Sequence, residues 1–248
     1  MKEGEMRFHP EDGCSIEEWW DLNHQEKNEQ YKLWLTGSAG PDVWEYLGVR
    51  DRVRPNAVIL NVGVGLGHCT RRLAAQGCIV HALDISGTAL EKVKDVTAGS
   101  WLPSTLSQLP CFLFDLVISN LVAQHMTDKD LEDQIRHMIP ALKQDGIIAM
   151  QFACMLEPSL NDSADVALSV LKQGGVGRSV SRYCLLAERA GAIVLRMERI
   201  AVFGEYGSVW YCAHLARPDF SGVPDRSPRG FLRRISDLVR RLKEAMHI

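Results

Sequence analysis

The run "VILNVGVGLGHCTRRLA", Val58 to Ala74, limits the folds open to this chain more than any other stretch. "AVILNV" is a continuous apolar segment of the length of a strand buried on both faces. Gly63, Gly65 and Gly67 follow on alternate positions, and "TRRLAAQ" then has helical spacing. Strand, bare turn and helix in that order open a βαβ unit. Glycine lets the backbone turn sharply and lets a ligand approach with no Cβ in the way. The helix N-terminus behind the turn offers free N–H groups.

The alternation continues down the chain. "CIVHALD" reads as a second strand, and "SGTALEKVKDV" as a second helix capped by Ser86. "FDLVISN" is a further strand. "TDKDLEDQIRHMIPALKQDG" is a helix capped near Thr127 or Asp128 and stopped at Gly146, which Pro140 should kink or shorten. "IIAMQFA" is the next strand. The rhythm then changes: "SRYCLLAERAGAIVLRMERIAVFGEYGSVWYCAHLAR" gives a helix, a strand, a glycine-bounded turn and a last strand. Two strands so closely joined form an antiparallel hairpin. The sheet is therefore expected to be mixed, parallel first and antiparallel at one edge, with both faces covered.

The second strand ends in an acid, Asp84. A carboxylate at that place commonly accepts hydrogen bonds from both hydroxyls of a ribose. Strand, loop, helix, strand and acid together describe a nucleoside site. A dinucleotide fingerprint spaces its glycines G-x-G-x-x-G. Here the third glycine falls one residue early and His68 follows it, which argues against a nicotinamide cofactor and an oxidoreductase.

The G-x-G-x-G spacing with a late hairpin resembles the methyltransferases of the Rossmann-like class that use S-adenosyl-L-methionine (SAM). The resemblance runs from about Val58 to Ala216. "FDLVISNLVAQHM" resembles the family's fourth strand and its short turn, here ending at His125. "ALKQDGIIAMQF" resembles the helix, glycine and fifth strand, and "LLAERAGAIVLRME" the late helix and sixth strand. The resemblance implies an α/β fold, a doubly wound and mostly parallel seven-stranded sheet with an antiparallel C-terminal hairpin and helices on both faces. It also implies that Gly63, Gly65 and Gly67 pass beneath the methionyl and ribose parts of SAM. By the same likeness Asp84 holds the ribose hydroxyls, Asn120 faces the methionyl end, and His125 lies near the cavity where the methyl is transferred. Two positions depart from the family. Asn61 stands where an acid often ends the first strand, and Ser100 with Trp101 where an acid often binds the adenine amine. Asn61 and Ser100 can still accept hydrogen bonds, and Trp101 has a face on which adenine can stack.

Methyl transfer from a sulfonium is a displacement at carbon in which the cofactor carries the reactivity and the protein supplies position, desolvation and, where needed, a base. Histidine has the right pKa for such a base near neutrality. His125 is the best placed, because ligands of open α/β sheets bind outside the carboxyl ends of the strands. A turn-packing role explains it equally well. His24, in "WWDLNHQEKNEQY", is second, with Tyr31 and Lys32 as candidate lid residues. His68 reads as the start of a helix, and His137 as a surface residue. In "LEPSLNDSADVALSVLKQGGVGRS", a position that often carries part of the family's acceptor pocket, Arg178 is a candidate for meeting an anionic acceptor; a plain surface loop is the simpler reading.

Three regions are expected: an N-terminal helical extension over residues 1–57, a SAM-binding domain over 58–217, and a linker with a basic helix over 218–248. The extension holds Trp19, Trp20, Trp34 and Trp44, which either anchor it to the main body or make it a lid. The chain's net charge is −3, but from Arg226 onward seven Arg and Lys face two Asp and Glu, so the tail carries +5 and the preceding residues −8. An acidic body without a basic aromatic patch disfavours a nucleic-acid substrate. In the tail, Phe231, Ile235, Leu238, Leu242 and Ala245 make an apolar stripe, widened by Leu232, Val239 and Met246, on an otherwise basic helix. Such a helix packs on its own domain, pairs with a second copy or a partner protein through Phe231–Met246, or lies on an anionic membrane surface; the lack of a Trp anchor favours protein contact. The 7 cysteines show no metal-ligand spacing and read as reduced thiols, so no metal is expected. With no apolar run of spanning length and a polar start, the chain is expected to be cytoplasmic. The function expected is methyl transfer from SAM to a hydroxyl or amine of a small metabolite or sugar-type acceptor, with His125 as base. The alternative is a non-catalytic SAM-fold module acting through its tail helix.

Overall fold

The structure, a computed structural model, describes residues 15–25, 42–155, 178–202 and 208–220. In chain order the elements are α1 (Ile16–Gln25), α2 (Val43–Tyr46), β1 (Val58–Val62), α3 (His68–Ala75), β2 (Ile79–Leu83), α4 (Gly87–Glu91) and β3 (Gly99–Trp101). Then come β4 (Phe114–Ser119), a 3-10 turn at Ala123–His125, α5 (Asp128–Ala141), β5 (Leu142–Met155), α6 (Val180–Arg189), β6 (Ile193–Val202) and β7 (Ser208–Ala216). The seven strands form one sheet in the order β3-β2-β1-β4-β5-β7-β6. Strands β1 to β5 run parallel, while β7 is antiparallel to both β5 and β6. The expected architecture is thus the observed one.

Alternate side chains of the central strands feed two cores, as the pleat requires. Leu60, Val62, Val117, Ile148 and Phe152 pack against α5 and α6. Ile59, Leu116, Ile118, Ile147 and Ala149 pack on the other face, with Leu73 of α3 and with Trp44, Leu47 and Val49 around α2. Trp44 is therefore an anchor, and part of the N-terminal extension completes the core beneath β1. The Ser86 cap is present, its hydroxyl accepting from Ala89 N at 3.1 Å, and Thr127 caps α5 by accepting from Asp130 N at 3.1 Å. Helix α1 begins in a capping box: Ser15 Oγ accepts from Glu18 N at 3.1 Å while Glu18 Oε2 accepts from Ser15 N at 2.8 Å.

Two helices are shorter than the periodicity suggests. Helix α4 ends at Glu91, and α5 ends at Ala141, well before Gly146. Pro140 is the reason for the second: the chain leaves the helix at Leu142 with extended geometry, and the carbonyls of Pro140 and Ala141 accept instead from Phe112 N at 3.0 Å and Leu113 N at 2.8 Å. Trp34, Tyr31, Lys32, most of the segment before Arg178, and the tail helix with Phe231–Met246 lie outside the described residues.

Candidate active site at the carboxyl ends of the strands

The turn after β1 is shaped by three left-handed residues, Gly63, Gly65 and Gly67, with φ of 74°, 56° and 85°. Gly63 N donates to Leu83 O at 2.8 Å, which draws the turn toward the end of β2. There Asp84 lies 6 % exposed. Its Oδ2 accepts from Gly65 N at 3.0 Å and its Oδ1 from Ser86 N at 2.9 Å. A carboxylate oxygen has two lone pairs, so each retains one for a further donor. The acid is thereby fixed in orientation and still able to accept.

Beyond β4 the chain crosses the same turn. Leu121 adopts φ 58°, unusual for a side chain of its size. This kink carries Val122 so close to Gly63 that a Cβ there would stand 2.2 Å from Val122 Cγ2. Glycine at 63 is thus required twice, for its backbone angle and for its lack of a side chain. Asn120 accepts at Oδ1 from the Tyr46 hydroxyl at 2.6 Å, a bond that ties α2 to the end of β4. Burial raises the Tyr46 pKa and keeps it a hydrogen-bond donor.

Helix α1 roofs this region. Asp21 accepts at Oδ1 from Ser86 Oγ and from Thr88 N, at 2.5 and 3.2 Å, and Lys92 Nζ donates to His24 O. The Ser86 bond is the main reason the Asp21 carboxyl sits below its ordinary pKa. His24 is buried; loss of solvent pulls its pKa down, and the nearby Asp84 partly opposes this. One residue before Asp21, Trp20 sets its ring edge-on to His125, centroids 5.2 Å apart. A single helix therefore touches both the Asp84 side and the His125 side.

His125 is half-buried on the 3-10 turn, and desolvation lowers its pKa to about 4. Its ring nitrogen Nε2 lies 3.4 Å from Gln124 Nε2, and no carboxylate among the described residues is bonded to it. The imidazole is consequently neutral at pH 7 and a weak proton acceptor.

The remaining predicted positions fall as follows. Asn61, 2 % exposed, donates from Nδ2 to Thr70 Oγ1 at 2.9 Å, so it braces β1 against α3 behind the glycine turn. Ser100 and Trp101 line a pocket of about 330 Å³ with Leu90, Glu91, Lys94 and Thr105. The Trp101 ring leans back over Gly99 and stacks on His81 at 5.1 Å, so one of its faces is already covered. His68 opens α3 as expected. Arg178 is a correction: it is fully buried among Asp128, Ala123 O and Met126 O, and faces no acceptor. Asp21, Tyr46 and Gln124 escaped the sequence reading, because nothing in their spacing marks residues that meet the site only through packing.

Residues 59–146 match the family model of the methyltransferase domain. This segment, about a third of the chain and part of the Rossmann-like sheet, is similar to a methyltransferase domain. The match spans the glycine turn, Asp84 and the 3-10 turn, so the similarity falls on the segment that builds this site. Solved structures agree in fold. A TehB-like SAM-dependent methyltransferase from Corynebacterium glutamicum superposes with TM-score 0.54 at 20 % identity, over 77 % of this chain and 97 % of that one. A Haemonchus contortus phosphoethanolamine N-methyltransferase 2, bound to phosphomonomethylethanolamine and S-adenosylhomocysteine (SAH), gives TM-score 0.61 at 17 % identity over 84 % of this chain and 61 % of that one. The 1,6-didemethyltoxoflavin-N1-methyltransferase of Burkholderia thailandensis, with its substrate and SAH, gives 0.54 at 14 % identity over 75 % and 83 %. Comparison with curated proteins gives no significant match. Among the described residues, no helix is long and apolar enough to cross a membrane.

Proposed function

We propose that this protein transfers a methyl group from SAM to a small-molecule acceptor, an amine in preference to a hydroxyl. The observation that carries the reading is the Asp84 carboxylate, clamped by Gly65 N and Ser86 N beside a glycine turn and roofed by α1. SAM fits this frame: Asp84 has free lone pairs for two ribose hydroxyls, and the bare turn leaves room beneath the nucleoside. When bound, SAM supplies the electrophilic methyl carbon. Gly63, Gly65 and Gly67 would support it, Asp84 would orient the ribose, Asn120 would face the methionyl end, and Ser100 and Trp101, which line a pocket beside α4, would take the adenine side.

His125 favours an amine for a physical reason. An uncharged amine attacks with its own lone pair and needs no prior deprotonation, whereas a hydroxyl profits from a competent base. With its conjugate acid disfavoured by burial, His125 accepts a hydrogen bond from the acceptor N–H and orients it, rather than removing a proton from an alcohol. Two nitrogen-methylating enzymes with SAH bound share the fold at low identity, which supports a nitrogen over an oxygen acceptor. The roofing by α1 favours a small acceptor, since Trp20 and Asp21 close the site from above. On this reading residues 58–217 are the catalytic domain, residues 1–57 include its lid, and the protein works in the cytoplasm.

The test is a thermal-shift titration with SAM, SAH and NAD in parallel. A ligand at a hundred times its Kd stabilises the native state by about 2.7 kcal/mol. For a chain of this size that raises Tm by roughly 5–10 °C. A shift with SAM and SAH alone is the expected result; a shift with NAD alone, or none at millimolar ligand, overturns the proposal.

A further inference from the structure

Arg178 makes an arrangement that the cofactor side of the site does not use. Its guanidinium is 0 % exposed. Nη1 donates to Ala123 O at 3.2 Å and Nη2 to Met126 O at 2.6 Å, while Nε pairs with Asp128 Oδ1. Asp128, the first residue of α5, is gripped on its other oxygen by Arg182 Nε at 2.7 Å. The Tyr183 ring lies 5.6 Å from the guanidinium carbon. The two carbonyls that Arg178 holds belong to the first residue of the 3-10 turn and to the residue just after it. The fork therefore spans His125 from both sides in sequence.

The turn has little of its own to hold it. Its internal backbone bond is His125 N to Val122 O at 2.8 Å, and it is three residues long. A short 3-10 segment with so few bonds takes its place from tertiary contacts. Burying a guanidinium costs several kcal/mol unless its donors are matched. What this buried fork secures is a turn bearing His125, whose Nε2 lies 3.4 Å from Gln124 Nε2, and Gln124, whose buried Oε1 has no hydrogen-bond partner among the described residues. A buried acceptor left without a partner calls for an explanation, and a water or a bound group supplies one.

We infer that Arg178 is a positioning residue for the acceptor side of the site, holding His125 and Gln124 in place through the carbonyls of Ala123 and Met126. The inference rests on the reading of His125 as an acceptor-side residue. A lysine cannot take over, because a single ammonium lacks the planar fork that reaches a carboxylate and two diverging carbonyls at once.

The test uses the full chain as wild type, Arg178→Lys and Arg182→Lys. Each is treated with diethyl pyrocarbonate at pH 7, and modification is read at every histidine by mass spectrometry, alongside Tm and SAH affinity by calorimetry. Loss of charged hydrogen bonds to the turn should raise the His125 modification rate in Arg178→Lys on the order of tenfold. His81 and His214, both in the core, should keep their rates, as should SAH affinity. Arg182→Lys, which touches Asp128 but no turn carbonyl, should leave His125 protected. An unchanged His125 rate in folded Arg178→Lys overturns the inference, and so does an equal rise in Arg182→Lys or a rise at all histidines together. If Arg178→Lys does not fold, Asp128→Asn loosens the same grip and is read by the same footprint. A wild type that fails to bind SAH refutes the proposed function while the footprint still decides the clamp.

Discussion

Replacing Gly63 with alanine isolates the close approach between the glycine turn and the segment after β4. Three glycines make a graded series. Gly87 has ordinary backbone geometry and open space where a Cβ would stand; Gly191 has open space but φ 84°; Gly63 has φ 74° and Val122 Cγ2 at 2.2 Å. Gly87→Ala should therefore be neutral or stabilising by about 0.5 kcal/mol through the unfolded chain. Gly191→Ala carries the left-handed backbone penalty alone, roughly 1–2 kcal/mol. Gly63→Ala adds the displacement of Val122, about 1–3 kcal/mol for an overpacked contact, for roughly 2–5 kcal/mol in all. At about 2–4 °C per kcal/mol, Tm should fall by roughly 2–8 °C for Gly191→Ala and roughly 4–20 °C for Gly63→Ala. The assay is calorimetric or fluorescence melting of the three variants, with SAH affinity measured on each that folds. Gly63→Ala should also lose SAH affinity, since Val122 is pushed with Asn120 and Leu121 behind it, whereas Gly191→Ala should not. A Gly63→Ala protein no less stable than Gly191→Ala would refute the claimed contact.

Asp84→Ala should weaken SAH binding tenfold or more, about 1.4 kcal/mol, in a folded protein; unchanged affinity by calorimetry would remove Asp84 from the site. Asp21→Ala should release α1 from Ser86 and Thr88, seen as faster proteolysis of the N-terminal segment with the core intact, and an unaltered digestion pattern would count against the roof. His125 titrates lower in the folded chain than in the unfolded one, so the native state binds fewer protons at mildly acidic pH. Its contribution is complete above pH 6.5 and is lost as pH falls toward about 4, by up to about 3 kcal/mol. Urea melts between pH 7 and 4.5 should show that slope reduced in His125→Gln; equal slopes would show the ring is not desolvated.

The chain's periodicity set out six of the seven strands, because apolar runs between glycine and proline punctuation leave few alternatives to alternating strands and helices; β3, three residues long, has no such run and pairs only with β2 at the sheet edge. The caps at Ser86 and Thr127 were equally legible, since a cap is a matter of neighbours in sequence. The end of α5 was less so: where Pro140 releases the helix depends on Phe112 and Leu113 meeting the carbonyls of Pro140 and Ala141 from another part of the chain. Arg178 looked like an exposed cation in a flexible stretch, and only its burial against Asp128 and the 3-10 turn shows otherwise.

The local code alone determined the order of elements, the glycine turn and the acid at the end of β2, since each is a bond or an angle between residues close in sequence. Tertiary structure decided which side chains share the site. Tyr46 reaches Asn120 across 74 positions, Asp21 reaches Ser86 across 65, and Trp20 comes to rest on His125. Such meetings follow from how helices seat on a folded sheet, and burial then gives His24 and His125 their lowered pKa values.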